Sequence, residues 1–300
     1  MKSLEPSVLS QCHPRADEVV RDVQDFFLEH WDFPDEKSRG KFAAEGVARM
    51  CCITYPKARD DRIELVCKLI TLLFLTDGEL SPPALDAEET RYAHRNNPGI
   101  LDYKSFRDGA AFNLRLMSLF RGDARPDRSL PVESIAYDVM ESMQACDRVL
   151  PDDLLEPTAQ FLQSQTDEVR AQTTSLRQYL SYRMIDCGHY LLTSLMRFSM
   201  GLHVTPAESP AALEAETICG YHISVVHDIW SFEKEVRCAQ HSHAEGATPC
   251  NAVSVQTSLP PSACKRVLSH ICREWEERHR DLTSEFLQGG RSSPDMPAYV

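Results

Sequence analysis

The chain of 300 residues is poor in glycine, with twelve in all. It lacks strand-like alternation and the turn signals of hairpins, which argues against a β-sheet. No apolar run is long enough for a membrane-spanning helix: the longest, Leu65 to Leu75, is interrupted by Lys68. The opening Met-Lys-Ser-Leu-Glu-Pro lacks the apolar core of a signal peptide. These absences predict a soluble, cytoplasmic protein without membrane insertion. Positive charge is also short. Thirty-two Lys and Arg stand against 45 Asp and Glu, a net charge of -13, which argues against nucleic acid or an anionic membrane as partner. Eleven cysteines occur without a C-x-x-C pair. That pattern is neither a zinc framework nor a disulfide scaffold, and it reads as small buried or partly buried thiols in a reduced compartment. His241 and His243 read as loop residues.

What is present is helical periodicity. Apolar residues recur at three- and four-residue intervals near 15–30, 40–53, 60–76, 131–148, 151–167, 175–202, 210–238 and 261–287. Pro151, Pro206, Pro210 and Pro260-Pro261 punctuate them as helix starts or connectors. No internal repeat or linker divides the chain, so one all-α domain over 1–300 is expected. Residues 62–76 are apolar on nearly every side towards their end, the mark of a helix inside a bundle. That helix runs into Asp77. The stretch 81–113, with Pro82-Pro83 and Asn96-Asn97-Pro98-Gly99, reads as a long irregular loop, and 289–300 as a loop-like tail.

Residues 227–235 carry the most chemistry. His227, Ser231 and Glu235 fall at i, i+4 and i+8 and share one helix side, with Lys234 beside the last. A hydroxyl and a carboxylate one turn apart suit a hard divalent cation, and the ammonium suits a phosphate that such a cation would carry. Val225, Val226, Ile229, Trp230 and Phe232 surround these groups, so part of the helix is expected to be buried. A solvated charged face is the plainer alternative for Glu-Lys-Glu alone. Bound cations would also reconcile a diphosphate ligand with the negative net charge.

Six stretches, in order, resemble the class I terpene synthases, and within them the fungal aristolochene synthases. They are Ile-Thr-Leu-Leu-Phe74-Leu-Thr-Asp77; Arg121 through Glu133; Tyr179-Leu-Ser-Tyr-Arg183-Met-Ile-Asp186-Cys-Gly188; Met196 through Leu202; Ser224 through Glu235; and Cys272-Arg-Glu-Trp-Glu276. The resemblance implies an all-α helical bundle around an apolar cavity. It implies metal-dependent ionisation of farnesyl diphosphate and cyclisation to an aristolochene-like (eremophilane) hydrocarbon. Three Mg²⁺ ions are implied, with Mn²⁺ as an alternative. It assigns Asp77, His227, Ser231 and Glu235 to metal, Arg183 and Lys234 to the substrate diphosphate, and Phe74 and Phe161 to the cavity wall. A homodimer is compatible with it.

The chain also departs from the family pattern. Gly78 stands where the family has its second Asp, and Ser81 where it has a later acidic residue. His227 replaces an Asn or Asp. Imidazole nitrogen is a poor magnesium ligand, which leaves Asp228 shifting to compensate, or manganese, as ways out. The loop after residue 80 is longer than in the family. The chain stops before the family's C-terminal Arg-Tyr pair, so it reads as truncated. Two readings therefore stand beside each other: an active synthase, and a degenerate, non-catalytic relative.

Overall fold

The computed structural model describes residues 11–77, 106–165, 175–204, 209–241, 251–255, 259–288 and 295–299. Among these residues the secondary structure is helical throughout, joined by turns. The order is α1 (Ala16–His30), α2 (Glu36–Glu45), α3 (Val47–Thr54), α4 (Ile63–Asp77), α5 (Phe106–Phe120), α6 (Pro131–Cys146) and α7 (Leu155–Ser164). There follow α8 (Leu176–Asp186), α9 (His189–Met200), α10 (Ser209–His241), α11 (Ala252–Val255), α12 (Pro261–Gln288) and α13 (Met296–Tyr299). None of these helices is long and apolar enough to cross a membrane.

The expected inner helix is α4. Ile63, Val66, Cys67, Leu69, Ile70, Leu72, Leu73 and Leu75 are all buried, and α1, α3, α6 and α9 pack around it. Its one lysine is accommodated at the rim. Lys68 pairs with Glu64 at 2.7 Å, one turn back, and lies 4.1 Å from the centre of the Phe26 ring, so its stem is covered while its charge is shared. This main core also takes in Leu116, Met117 and Phe120 of α5 and Leu162 of α7.

Several helices begin or end where local chemistry demands it. Asp35 accepts the Ser38 amide at 2.6 Å and caps α2. Gly46, at φ +67°, ends α2 and starts α3. The sequence reading of 40–53 as one helix missed that break, which needs the left-handed conformation glycine supplies. Likewise 175–202 divides into α8 and α9 at Cys187-Gly188, where Gly188 takes φ +70°. Helix α5 begins at Phe106, inside the stretch expected to be irregular. Its Leu116, Met117, Leu119 and Phe120 give it a buried face, and Arg115 clamps Glu133 of α6 with two bonds of 2.5 and 2.8 Å. Residues 78–105 lie outside the described residues. His241, expected in a loop, closes α10, while His243 lies outside the described residues. The tail forms α13, whose Met296 is fully buried against Leu202, Val204 and Ala212.

A second core holds the site. Helices α10 and α12 run antiparallel, tied by Arg278–Glu214 at 3.0 Å, His222–Glu276 at 2.9 Å and Lys265–Glu233 at 2.8 Å. Tyr221 meets Trp275 with ring centres 5.7 Å apart. Under this pair lie Tyr179, Leu180, Val225, Ala252, Val253, Cys264, Leu268 and Cys272. Five of the nine described cysteines are buried, and all nine are free thiols. Gly220 sets how closely α10 can approach the α8–α9 break. A Cβ there would collide with Met184 Sδ and lie 2.8 Å from His189 Cγ.

Candidate metal and diphosphate site

The site is the seam between α8, α10 and α11. Successive residues of a helix are offset by about 100°, so Val225, Ile229 and Phe232 form one arc of α10 and His227, Ser231 and Glu235 another. The first arc faces the second core, with Val225 fully buried. The second arc is half-exposed. Trp230 belongs to neither arc and is 79 % exposed, contrary to the reading that placed it among the buried frame.

Asp228 falls between the two arcs and is fully buried. Its two carboxylate oxygens are engaged unequally. Tyr179 Oη donates to Oδ2, the Ala252 amide donates to the same oxygen at 2.9 Å, and Arg183 Nη2 lies 3.3 Å from Oδ1. Swinging Asp228 out would strand a buried tyrosine, an amide and a guanidinium, but where it stands its Oδ1 is already 3.6 Å from His227 Nδ1.

Arg183 is the hub. Its Nη1 donates to Asp186, and its Nη2 reaches both Asp228 and His227 Nδ1, the latter at 3.2 Å. Burial works against its charge, but Tyr179, Asp186 and Asp228 outweigh that and hold the guanidinium well above the usual range. Its Nε–H has no partner among the described residues, which leaves a donor for an anion. Asp186 is itself fixed by the Tyr182 hydroxyl at 3.0 Å, and Gln165 donates to its backbone carbonyl at 3.0 Å.

Glu235 accepts the Ser231 hydroxyl on Oε1 and the Asn251 amide on Oε2 at 3.1 Å. Asn251 was not foreseen. Its Oδ1 caps α11 by accepting the Val253 amide at 2.9 Å, which turns Nδ2 towards α10, where it also donates to the Asp228 carbonyl at 3.0 Å. The signal was available: an Asn directly before the apolar run Ala-Val-Ser-Val is a helix-start signature.

The donors fit a divalent cation. His227, Asp228 and Glu235 present ligand atoms within 4.8 Å of one another. Ser231 stands beside them through its bond to Glu235, and Asp228 Oδ1 lies 3.6 Å from His227 Nδ1. Ser231 Oγ and His227 Nδ1 stand 3.4 Å apart. The serine proton goes to Glu235, and Nδ1 spends its single lone pair on the Arg183 guanidinium, so a cation at Nδ1 would take the place of that N–H.

Of the other expected residues, Phe161 lies beside this seam. Its Cδ2 would be 3.2 Å from a Cβ on Gly188, at the α8–α9 break, and it packs against the main core. Phe74 is half-buried on α4, also against the main core. The backbone of Asp77 ends α4 and that of Lys234 lies in α10, but both side chains lie outside the described residues.

Comparison with known proteins agrees with this geometry. The family model "Terpene synthase family 2, C-terminal metal binding" matches residues 101–278, more than half of the chain. The aristolochene synthase of Aspergillus terreus is 43% identical over 292 residues, covering 96% of this chain and 85% of that protein. A (+)-aristolochene synthase of Penicillium expansum is 42% identical, covering 96% and 82%. The crystal structure of aristolochene synthase from Penicillium roqueforti superposes with a TM-score of 0.81 at 38% identity, covering 98% of this chain and 92% of that one. Hedycaryol synthase, at 16% identity and a TM-score of 0.71, shares the fold. With a metal-binding family model across α5 to α12 and relatives above 40% identity over nearly its whole length, the chain belongs to the terpene synthase family.

Proposed function

We propose that the chain is a metal-dependent sesquiterpene cyclase that ionises farnesyl diphosphate and closes it to an eremophilane hydrocarbon of the aristolochene type. The observation that carries this reading is the convergence of Arg183, His227, Ser231 and Glu235 at one helix seam. Relatives named as aristolochene synthases support the product class.

The chemistry follows from charge. Breaking an allylic C–O bond leaves the pair of electrons on diphosphate, and the growing charge needs prepositioned cations. Divalent metal supplies that neutralisation when bound. His227, Ser231 and Glu235 would hold one ion, with Asp77 serving the others, three in all. Arg183 offers a planar fork whose charge is locked by Asp186 and Asp228. Lys234 adds a second cation for the diphosphate. Phe74 and Phe161 present ring faces that stabilise a carbocation while being poor at trapping it, and apolar walls keep water from quenching it.

The test follows diphosphate release and bound metal together in the wild type and Glu235→Gln. Both the rate and the metal affinity are expected to fall, the rate by about 10²–10³-fold. A Glu235→Gln variant that retains both at wild-type level removes Glu235 from the metal site.

A further inference from the structure

His227, Asp228 and Glu235 supply the ligand groups of α10, and two of their atoms, His227 Nδ1 and Asp228 Oδ1, stand 3.6 Å apart. Both already face a positive charge. Arg183 Nη2 lies 3.2 Å from the nitrogen and 3.3 Å from the oxygen. We propose that Arg183 is a built-in counter-cation that keeps divalent metal off these two atoms until a diphosphate draws the guanidinium away. The proposal rests on reading α10 as a metal face and deepens it by giving an order of binding, anion first and metal second.

Four observations carry it. First, guanidinium and metal exclude each other. Nδ1 has one lone pair, and it accepts from Nη2. A metal–ligand bond is about 2.1 Å long, so an ion on that lone pair would stand inside the 3.2 Å span that the N–H now fills. Second, Arg183 has a pivot. Its Nη1 donates to Asp186, which the Tyr182 hydroxyl fixes at 3.0 Å, so Nη2 can let go while Nη1 stays. Third, the buried Arg183 carries an Nε–H with no partner among the described residues. Nε and Nη2 form one edge of the planar fork, the edge that takes two oxygens of one phosphoryl group. Half of that edge is open already. Fourth, charge sets the order. Asp228 is fully buried, and its Oδ2 keeps Tyr179 and Ala252 when Nη2 leaves Oδ1. Without an anion, that departure strands a donor and uncovers a buried carboxylate oxygen, which is costly. With a diphosphate, the donor is paired and the oxygen is left for the incoming dication.

The experiment uses the whole chain without prenyl substrate. Free Mn²⁺ is counted by electron paramagnetic resonance while metal-free wild type, Arg183→Lys and Arg183→Lys with Glu235→Gln are titrated in the absence of any anion. Lysine keeps a positive charge beside Asp186 and Asp228 but lacks the fork that reaches Nδ1. Arg183→Lys is expected to bind Mn²⁺ about tenfold tighter than the wild type, the scale of one charge-assisted hydrogen bond. Adding Glu235→Gln is expected to abolish that gain. Equal or weaker binding in Arg183→Lys, the result of a purely structural or purely electrostatic Arg183, overturns the proposal. A second readout is made on the wild type, through the ¹⁵N resonances of labelled histidine. The His227 signal is the one lost in His227→Asn, a variant compatible with the fold because that side chain is 45 % exposed. Saturating inorganic diphosphate, with a chelator present, is expected to move Nδ1 to the position of a nitrogen released from a hydrogen bond, whereas Mg²⁺ alone leaves it in place. A resonance that diphosphate leaves unmoved, or that Mg²⁺ alone moves, overturns the proposal. A chain that fails these tests yet binds Mn²⁺ through Glu235 when diphosphate is present loses the order of binding and keeps the metal face. A chain that binds no Mn²⁺ even then loses both.

Discussion

Asp228 and Asn251 show how single side chains divide the labour at this seam. Asp228 lies next to His227 in sequence, yet it faces inwards and anchors α8 and α11 to α10 through Tyr179, Arg183 and the Ala252 amide. Removing it leaves Arg183 with one carboxylate in a buried setting. Asp228→Ala is therefore expected to cost about 3–5 kcal/mol of stability, read as a shift of the urea midpoint. Asn251 does not face a ligand but sets Glu235. Asn251→Ala should weaken Mn²⁺ binding by about tenfold, measured by titration with diphosphate present. A third residue acts through pH. His189 is buried, which pushes its imidazole down from 6.5 to about 4, against a weaker opposing contact from the Glu216 backbone. Between pH 6.5 and 4 the unfolded chain takes up a proton that the folded chain refuses. Stability must fall as pH drops through that window, by up to about 3 kcal/mol. Denaturant midpoints at pH 7 and pH 4.5 should differ accordingly in the wild type and differ less in His189→Gln.

At the scale of elements, glycine decides where helices break and how closely they cross. Gly188 interrupts α8–α9 with φ +70° and leaves Phe161 room against the break. Gly220 lets α10 press on Met184 and His189 at the same place. Gly220→Ala should overpack that crossing and lower stability by about 1–3 kcal/mol in thermal or urea unfolding, whereas Gly40→Ala, with open space around its Cβ, should not. These elements also show what a sequence discloses. The spacing of His227, Ser231 and Glu235 follows from one helical period, so their shared face was legible. Burial of α4 followed from a surface that is apolar on nearly every side towards its end. The breaks at Gly46 and Gly188 were not, because a glycine in a helical pattern is equally compatible with continuation until tertiary packing selects the left-handed turn. Trp230 was misplaced for a related reason: apolar character predicts burial only where the arc faces a neighbour. The inward turn of Asp228 depends on Tyr179 and Ala252, 49 and 24 residues away, and no local pattern encodes that.

For the whole molecule, the bundle brings the α8–α9 break, α10 and α11 to one seam, and the main core around α4 carries Phe74 and ends at Asp77. Membership of the terpene synthase family is secure from this architecture and from the relatives that match it. The resemblance reads Gly78 at the position of the family's second Asp and His227 at that of an Asn or Asp, and turnover is the quantity that separates an active synthase from a non-catalytic relative. Should the chain fold without turning over, Gly78→Asp with His227→Asn is the repair expected to restore product, and that outcome would mark it as a non-catalytic relative. The most direct test of the central claim is mass spectrometry of the hydrocarbons formed when the purified, folded chain meets farnesyl diphosphate with Mg²⁺ or Mn²⁺. A bicyclic sesquiterpene of the eremophilane type is the predicted result. A folded protein that yields no hydrocarbon with either ion contradicts the account.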